Sequence, residues 1–191
     1  DISFQVQRIN SLKRGRVVIS LTSFIGTGLT PALLGFKREY PQVRLDLIFN
    51  NTDEVLDNIK ENRVDIGFAT TVSLSGAAAM GTAVHRERVL LLARADNPLC
   101  RLKTVLPGDL HDQLFVIREP GTFTRQFTEA WFVDVPMPVN LIEISRFTSV
   151  RDLILAGAVG LAPENVMNKD IAEKAVVVLP AKNLQSWVDC S

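Results

Sequence analysis

The fold of this chain is decided by residues 16–40, which read RVVISLTSFIGTGLTPALLGFKREY. The β-branched, apolar run at 17–21 has the length of a buried strand and stops at Thr22 and Ser23. From Leu29 onward apolar residues recur at helical spacing, until Pro41 ends the pattern. The stretch therefore predicts a strand that leads into a helix through a short polar hinge.

The polar hinge has the chemistry of an anion site. The first backbone N–H groups of a helix have no partner within that helix, so they can donate to a bound anion. The hydroxyls of Thr22 and Ser23, with Gly26 and Gly28 nearby, would add donors and allow close approach. A purely structural role stays open, because every strand-to-helix turn of a parallel sheet has similar chemistry.

Size and composition restrict the class of protein. A length of 191 residues allows one domain or two small lobes, and a hydrophobic fraction of 47% excludes general disorder. Lys plus Arg equals Asp plus Glu at 21 each, so the chain lacks the net positive charge that holds nucleic acid. No apolar run approaches the length of a membrane span. We expect a soluble fragment that does not bind DNA unaided.

Strands and helices alternate through the first part of the chain. Residues 43–49 predict a second strand, and Asn51 with Glu54 forms the pattern of a helix capping box. An apolar stripe that includes Val55 and Ile59 predicts the helix, and residues 65–69 predict a third strand. Strand, helix, strand, helix, strand with short connections is typical of a parallel sheet.

The rest of the chain continues the alternation after a Ser, Gly and Ala rich loop at 74–83. Helices are predicted from about residue 123 and about residue 150, with a short helical segment at 108–110. Further strands are predicted at 89–93, 114–117, 139–144, 159–162, 176–179 and 187–188. Several strands end in a hydroxyl, an arginine or a proline. Ligands of open α/β sheets bind outside the carboxyl ends of strands, so these polar ends are expected to line one crevice.

Short motifs follow one another at characteristic intervals. They are GRVVI at 15–19, LTPALLGF at 29–36, YPQV at 40–43, VDIGF at 64–68, DNPL at 96–99, DL at 109–110, SV at 149–150 and AGAVGLAP at 156–163. In this order they resemble the effector-binding region of LysR-type transcriptional regulators, whose fold is similar to that of the two-lobed periplasmic binding proteins. The resemblance runs from about Gly15 to the C-terminus.

The resemblance implies an α/β fold of the two-lobed, periplasmic-binding-protein-like type 2, in which each lobe is a mostly parallel sheet flanked by helices. Residues 1–14 would be the end of a linker helix. Residues 15–84 and 163–191 would form regulatory lobe I, and residues 85–162 would form lobe II, with hinges near 84–88 and 161–164. The family's winged helix-turn-helix and its last helices are missing, so we expect a fragment.

The resemblance also implies a site between the lobes for a small, anionic effector. Thr22 and Ser23 match the effector-contacting turn of the family, and other polar or aromatic residues follow from the strand ends. Two alternatives stay open. Arg118 could have no role in ligand binding and simply pair with Glu119 or Glu143, and Phe24 could belong to the core. The predicted effector-binding residues are Thr22, Ser23, Phe24, Thr70, Thr71, Arg118, Thr122, Arg146, Phe147 and Pro163.

The function that follows is a ligand sensor in a cytoplasmic, homodimeric or homotetrameric transcriptional regulator. Its partners would be a small-molecule effector and, only through the missing N-terminal domain, DNA; no membrane contact and no cofactor are expected. An extracytoplasmic solute-binding protein of a transporter is the main alternative, and an enzyme is another. Neither metal nor catalytic spacing surrounds His85 and His111, and Cys100 and Cys190 are expected to be free thiols.

Overall fold

The protein, a computed structural model, is described here for residues 15–71, 85–184 and 186–190. The chain divides into two compact units, Asp1–Ala69 (unit 1) and Thr70–Ser191 (unit 2). The predicted end of a linker helix at 1–14 and the predicted loop at 74–83 lie outside the described residues.

Unit 1 is a parallel sheet whose central strand comes from the opening stretch of sequence. The central strand β1 (Gly15–Leu21) pairs with β2 (Val43–Phe49) on one side and with β3 (Ile66–Phe68) on the other, both in parallel. Helix α1 (Ser23–Glu39) joins β1 to β2, and α2 (Thr52–Lys60) joins β2 to β3. The predicted alternation is confirmed for all five elements.

Local sequence explains both helices of unit 1. Helix α1 begins directly after Thr22, so the predicted polar hinge is one residue long. At the other end of α1, Lys37 Nζ donates to the carbonyl oxygens of Pro41 at 3.0 Å and Val43 at 2.5 Å. The predicted capping box of α2 is confirmed: Asn51 Oδ1 accepts from the backbone N of Glu54 at 2.9 Å, and Glu54 Oε2 accepts from the backbone N of Asn51 at 3.0 Å.

Unit 2 is built on a mixed sheet. Its strands are β4 (Thr70–Thr71), β5 (His85–Arg94), β6 (Phe115–Arg118), β7 (Leu141–Ile144), β8 (Val159–Pro163), β9 (Val176–Val178) and β10 (Trp187–Cys190). The order is β4-β10-β5-β8-β6-β7, and β9 also pairs with β5. Strands β6, β7 and β8 are parallel, whereas β5 is antiparallel to β8, β9 and β10. The predicted α/β class is confirmed, with more antiparallel pairing in this unit than expected.

Helices pack on the sheet of unit 2 because alternate strand residues are apolar on each face. They are α3 (Phe123–Trp131), α4 (Phe147–Leu155) and α5 (Glu164–Ala172). Val116 of β6 is buried in one cluster with Ile154 of α4 and Met167 of α5. Phe115, the preceding strand residue, packs edge to face against Phe132, the residue that follows α3, at 5.8 Å between ring centroids.

Helix α5 is the main element that sequence reasoning missed. The sequence analysis predicts no helix between the strands at 159–162 and 176–179, and the polar residues Asn165, Lys169 and Asp170 interrupt the apolar pattern there. In the structure Asp170 is buried, and its carboxylate accepts two hydrogen bonds from Arg151 of α4, at 2.7 Å from Nε and 2.6 Å from Nη2. A polar residue therefore occupies the buried face of α5, where the pattern predicts an apolar one.

The division into units differs from the predicted lobes. Residues 163–191 were assigned to lobe I, together with residues 15–84, but α5, β9 and β10 lie in unit 2. The physical reason is the length of β5, which offers pairing positions to β8, β9 and β10 along its edges. Among the described residues, the predicted hinges near 84–88 and 161–164 fall on β5 and β8, and their role as hinges stays a prediction.

Candidate functional site

In unit 1, the candidate site begins at Thr22, the N-cap residue of α1. Thr22 is only 6% exposed, and its backbone N donates to the carbonyl oxygen of Phe68 at 3.1 Å, which ties the start of α1 to the end of β3. A threonine N-cap ordinarily accepts a hydrogen bond from the first turn. Within the described ranges, Thr22 Oγ1 makes no such bond and has no other partner. A buried hydroxyl is thus left available at the start of a helix.

A buried polar network lies beside this position, and sequence reasoning missed it. Ser20 of β1 is fully buried, and its Oγ donates to Asn50 Oδ1 at 2.9 Å. Asn58 Nδ2 donates to Ser20 Oγ at 3.3 Å and to Asn50 Oδ1 at 3.2 Å. The sequence does contain a signal for this network, because Ser20 is the single polar residue in the run VVISL. The prediction of β1 rested on the apolar residues around it. The network holds the carboxyl ends of β1 and β2 in a fixed arrangement.

Four more predicted site residues follow the predicted strand ends at Leu21 and Ala69, and the structure describes the side chains of two of them. Ser23 is exposed at the first position of the helix, whereas the side chains of Phe24 and Thr71 lie outside the described part of the chain. Thr70 is fully buried in β4, opposite Cys190 of β10, and so belongs to unit 2.

In unit 2, several predicted site residues come together at one edge of the sheet. Strands β6, β7 and β8 are parallel, so their carboxyl ends meet at this edge, and each is followed by a helix. Thr122, Arg146 and Pro163 are the N-cap residues of α3, α4 and α5. The positive ends of three helix dipoles therefore lie at the edge where a ligand of an α/β sheet is expected.

Arg118 lies at this edge, but its guanidinium is engaged within the protein. Its Nε and Nη2 donate to the two carboxylate oxygens of Glu119 at 2.9 and 2.8 Å, and also to the carbonyl oxygens of Ile144 at 3.2 Å and Ser145 at 3.0 Å. The guanidinium carbon lies 5.6 Å from the ring centroid of Phe147. The pairing with Glu119, which the sequence left open, is present, and a ligand would have to compete with it.

Thr122 and Arg125 are similarly occupied. The Thr122 hydroxyl donates to the carbonyl oxygen of Glu119 at 2.9 Å and accepts from the backbone N of Arg125 at 3.3 Å. Arg125 Nε donates to Glu129 at 2.5 Å, and its Nη1 donates to Glu143 at 2.7 Å. These hydrogen bonds raise the pKa of Arg125 above its usual value, and the bond that Arg125 donates to Glu129 contributes most. Both residues fix the turn between β6 and α3.

Thr124 is a candidate site residue that the sequence analysis did not name. It lies in the first turn of α3 and is 4% exposed. Among the residues that the structure describes, Thr124 Oγ1 and Thr22 Oγ1 are the buried side-chain nitrogen or oxygen atoms without a hydrogen-bond partner. The repeated Thr-x-Thr at 122–124 could have drawn attention to it.

Arg146 and Phe147 complete the edge of unit 2. Arg146 is exposed, and in the described part of the chain no ion pair or side-chain hydrogen bond engages its guanidinium. Phe147 is half-buried against Arg118. Arg146 is thus free to meet an anion, unlike Arg118.

The described residues give no sign of metal or thiol chemistry. Across 15–71, 85–184 and 186–190, His, Cys, Asp and Glu side chains do not form a group that could hold a metal ion. Cys100 and Cys190 are free thiols, as expected, and burial raises the pKa of both. No helix in the same ranges has both the length and the apolar character that a membrane span requires.

The arrangement suits the recognition of a small oxyanion by neutral donors. Helix N-termini supply oriented N–H groups and partial positive charge, which stabilise an anion by about 0.3–1 kcal/mol each at an exposed position. Buried hydroxyls that are not yet paired can bond a ligand without first breaking an internal hydrogen bond. Thr22 in unit 1 and Thr124 in unit 2 meet that condition.

Curated relatives found by sequence are transcriptional regulators. The HTH-type transcriptional regulator CbbR of Xanthobacter flavus is 27% identical over 187 residues, which cover 94% of this chain and 55% of that protein. The HTH-type transcriptional regulator CysL of Bacillus subtilis is 24% identical over 173 residues, covering 89% of this chain and 58% of the relative. The chain thus spans little more than half the length of these relatives.

Solved structures show the same fold. The regulatory domain of CcmR from Synechocystis PCC6803, in complex with 2-PG, matches with a TM-score of 0.74 and 16% identity over 93% of this chain and 88% of that one. The effector-binding domain of QuiR in complex with shikimate matches with a TM-score of 0.68 and 12% identity, over 93% of this chain and 87% of that one.

The family model described as the LysR substrate binding domain matches residues 10–190. The order of strands and helices, the two compact units and this match agree with the resemblance seen in the short motifs. The chain therefore belongs to the LysR substrate-binding domain family.

Proposed function

We propose that this chain is the ligand-sensing domain of a LysR-type transcriptional regulator, and that it binds a small, anionic effector. The observation that carries the proposal is the pair of buried, unpartnered hydroxyls of Thr22 and Thr124, each at the start of a helix of one unit. Retaining such a hydroxyl costs about 1–3 kcal/mol. A ligand that accepts a hydrogen bond from such a hydroxyl removes that cost.

The ligands of the fold relatives are consistent with this proposal. CcmR is in complex with 2-PG and QuiR with shikimate, and both are small organic molecules. The free guanidinium of Arg146 and the exposed hydroxyl of Ser23 are the next candidates to contact the effector. The remaining predicted effector-binding residues stay predictions for the same site: Phe24, Thr70, Thr71, Arg118, Thr122, Phe147 and Pro163.

The effector would act by shifting an equilibrium between two arrangements of the domain. A ligand shifts such an equilibrium only by the difference between its affinities for the two arrangements, so tight binding alone is insufficient. The response would reach DNA through a winged helix-turn-helix outside this sequence. We infer that the regulator acts in the cytoplasm, without a cofactor and without enzymatic activity, since the curated relatives are transcriptional regulators.

We also propose that the regulator is a homodimer or homotetramer that self-associates through the surface formed by α1 and β2 of unit 1. Strand β2 lies at the edge of its sheet, and Leu47, Ile48 and Phe49 at its end are exposed. Leu34 of α1 is 54% exposed and lines a cavity of about 590 Å³ between α1 and β2. Exposed apolar residues along an unpaired strand edge are typical of an interaction surface.

The solute-binding protein of a transporter is the weaker candidate. Such a protein could share the two-unit fold, but the family match and the curated relatives favour a regulator. An enzyme would require a general acid or a reactive thiol at the site. Cys190 is buried in β10, and burial raises the pKa of its thiol, which disfavours a reactive thiolate and supports a binding function.

A thermal-shift screen of small carboxylic acids, organic phosphates and amino acids tests the proposed function. A true effector at about 100 times its dissociation constant stabilises the protein by about 2.7 kcal/mol. Thr22→Val removes the hydroxyl and keeps the shape of the side chain, so the shift should fall sharply in this variant. The matched control is Thr30→Val, an exposed threonine on the same helix.

The control separates a lost contact from a damaged helix. We expect Thr30→Val to retain the full shift, whereas Thr22→Val and Thr124→Val each lose most of it. An unchanged shift in both Thr22→Val and Thr124→Val would remove the helix starts from the site and contradict the proposal.

A further inference from the structure

Glu87 is a buried carboxylate that the candidate site does not use. It lies on β5, is 5% exposed, and its Oε1 accepts a hydrogen bond from the backbone N of Asn165 at 3.0 Å. Asn165 is the second residue of α5, so this N–H is one of those that the helix itself leaves unpaired. Glu87 therefore caps a helix that is distant from it in sequence.

The strand register explains how Glu87 reaches this position. Strands β5 and β8 are antiparallel, and Val89 lies opposite Pro163, the last residue of β8. Strand β5 continues for four residues beyond this pair, to His85. Two positions past Val89, Glu87 lies level with the first turn of α5, where β8 has ended.

Helix α5 depends on Glu87 because its own N-cap residue cannot serve. The N-cap is Pro163, which has no polar side-chain atom, and the helix has no side-chain cap from its own N-cap position in the described residues. An anion at a helix N-terminus is favoured by the dipole and by the free N–H groups. In the folded protein, the Glu87 carboxylate takes the place that an external anion would take.

The helix starts at this edge of unit 2 are therefore not equivalent. Helix α3 has the capping hydroxyl of Thr122 and the unpaired hydroxyl of Thr124. Helix α4 begins at Arg146, which makes no capping bond within the described ranges. At α5, however, the Glu87 carboxylate already occupies the first turn, and Glu164 lies beside it, paired with Arg88 at 3.5 Å between Nε and Oε2.

We propose that Glu87 is a specificity-determining residue, whose carboxylate closes the start of α5 to anionic ligands and so restricts them to the other helix starts. The proposal rests on the proposed function for the class of ligand. Without this carboxylate, α5 would present its N–H groups at the same sheet edge as α3 and α4. The domain would then hold a second anion at the start of α5. Anion binding would no longer be confined to the other helix starts.

Sulfate is the probe, and the amide signal of Asn165 in a ¹H–¹⁵N spectrum is the readout. In the wild-type chain we expect this signal to stay in place as sulfate replaces chloride at constant ionic strength. In Glu87→Ala the N-terminus of α5 is vacated, and the signal should move with sulfate and saturate. A merely structural role for Glu87 would lower stability but would not create this response.

Two control variants isolate the effect. In Glu87→Gln the amide oxygen can keep the hydrogen bond to Asn165, so the helix start stays filled and the signal should not move. Glu164→Gln removes the neighbouring negative charge without opening the helix start, and it should also show no sulfate response. If Glu87→Ala does not fold, Glu87→Ser replaces it, because its short side chain also vacates the position.

The proposal is overturned if sulfate moves the Asn165 signal in the wild-type chain, or if it leaves that signal in place in a folded Glu87→Ala or Glu87→Ser chain. Either result is independent of effector binding. Adding Thr22→Val to Glu87→Ala should abolish the response to the effector and retain the response of Asn165 to sulfate. Failure of the proposed function and failure of this inference are therefore distinguishable.

Discussion

Arg118 and Glu119, neighbours at the end of β6, form a two-point ion pair in which Nε lies 2.9 Å from Oε2 and Nη2 lies 2.8 Å from Oε1. The same guanidinium donates to the carbonyl oxygens of Ile144 and Ser145 at the end of the neighbouring strand β7. Arg118 thus connects the two strand ends from which α3 and α4 begin. A residue that sequence suggests as a ligand contact therefore stabilises the edge of the sheet.

Arg118→Lys should lower the free energy of unfolding by about 1–3 kcal/mol, because an ammonium cannot make the fork to Glu119 and reach both carbonyl oxygens. Urea unfolding measures the change. The matched control is Arg146→Lys at the exposed N-cap of α4, where no internal contact is lost and a change within about 0.5 kcal/mol is expected. Equal losses in the two variants would contradict the internal role of Arg118.

Thr124→Val should stabilise the ligand-free protein by about 1 kcal/mol, since it removes a buried hydroxyl that has no partner. Thr122→Val, two residues earlier, should have the opposite effect and cost about 0.5–2 kcal/mol, because its hydroxyl caps α3. Thermal and urea unfolding of the two variants without ligand test the signs. A loss of stability in Thr124→Val would show that its hydroxyl is paired in solution.

Gly160→Ala should cost more than Gly67→Ala, since Gly160 lies in a fully buried strand and Gly67 in a partly exposed one. A Cβ at Gly160 would lie 2.4 Å from Val116 Cγ1 and 3.2 Å from the Val116 carbonyl oxygen, and Val116 is buried. A Cβ at Gly67 would meet Ile59 Cδ1 at 2.2 Å, but Ile59 is partly exposed and can rotate away. We expect about 1–3 kcal/mol for Gly160→Ala and less for Gly67→Ala by urea unfolding; the reverse order would contradict this packing.

Cys190 should resist alkylation and make stability fall at high pH. Burial, followed by the charges of Glu87 and Asp189, raises the pKa of its thiol from 9.0 to about 12. Well below pH 9.0 the thiol is protonated in both the folded and the unfolded chain. Between that pH and about 12 the unfolded chain loses a proton that the folded chain keeps, so the free energy of unfolding falls as pH rises.

Iodoacetamide labelling of the native protein at about pH 8 tests the first expectation, because only the thiolate reacts. Urea midpoints at about pH 8 and about pH 10 test the second, with Cys190→Ala as the control that lacks the titrating group. The wild-type midpoint should fall more between the two pH values than that of the variant. Rapid labelling of native Cys190 would show that the thiol is not buried in solution.

Leu34→Glu should weaken self-association, since it places a charge on the exposed apolar surface of α1. Sedimentation velocity over a range of concentrations measures the assembly. Leu102→Glu, at a partly exposed leucine of unit 2, is the control and should leave the assembly unchanged. Equal assembly of wild type and Leu34→Glu would exclude this surface from the interface.

Much of the local structure could be predicted from residue patterns. The strand and helix of the opening stretch and the capping box at Asn51 both agree with the structure, because each depends on neighbours within a few residues. Helix α5 was missed because the partner that allows Asp170 to be buried is Arg151 of another helix.

The candidate site could be predicted only in part. The sequence indicated which strand ends carry polar side chains, and Thr22 proved to be buried at such an end. It could not show that Arg118 and Thr122 are engaged by internal partners, or that Thr124 is not. Whether a polar atom is free depends on groups brought close by folding.

By itself, the sequence determined the α/β class, the strands and helices of unit 1 and the family, because periodic apolar patterns and short motifs are properties of adjacent residues. The tertiary structure alone decided how β5 groups the C-terminal strands and which hydroxyls stay unpaired. It also decided that Glu87 caps a helix that begins at Glu164. These features depend on pairs of residues far apart in the chain, and only the register of the strands brings such pairs together.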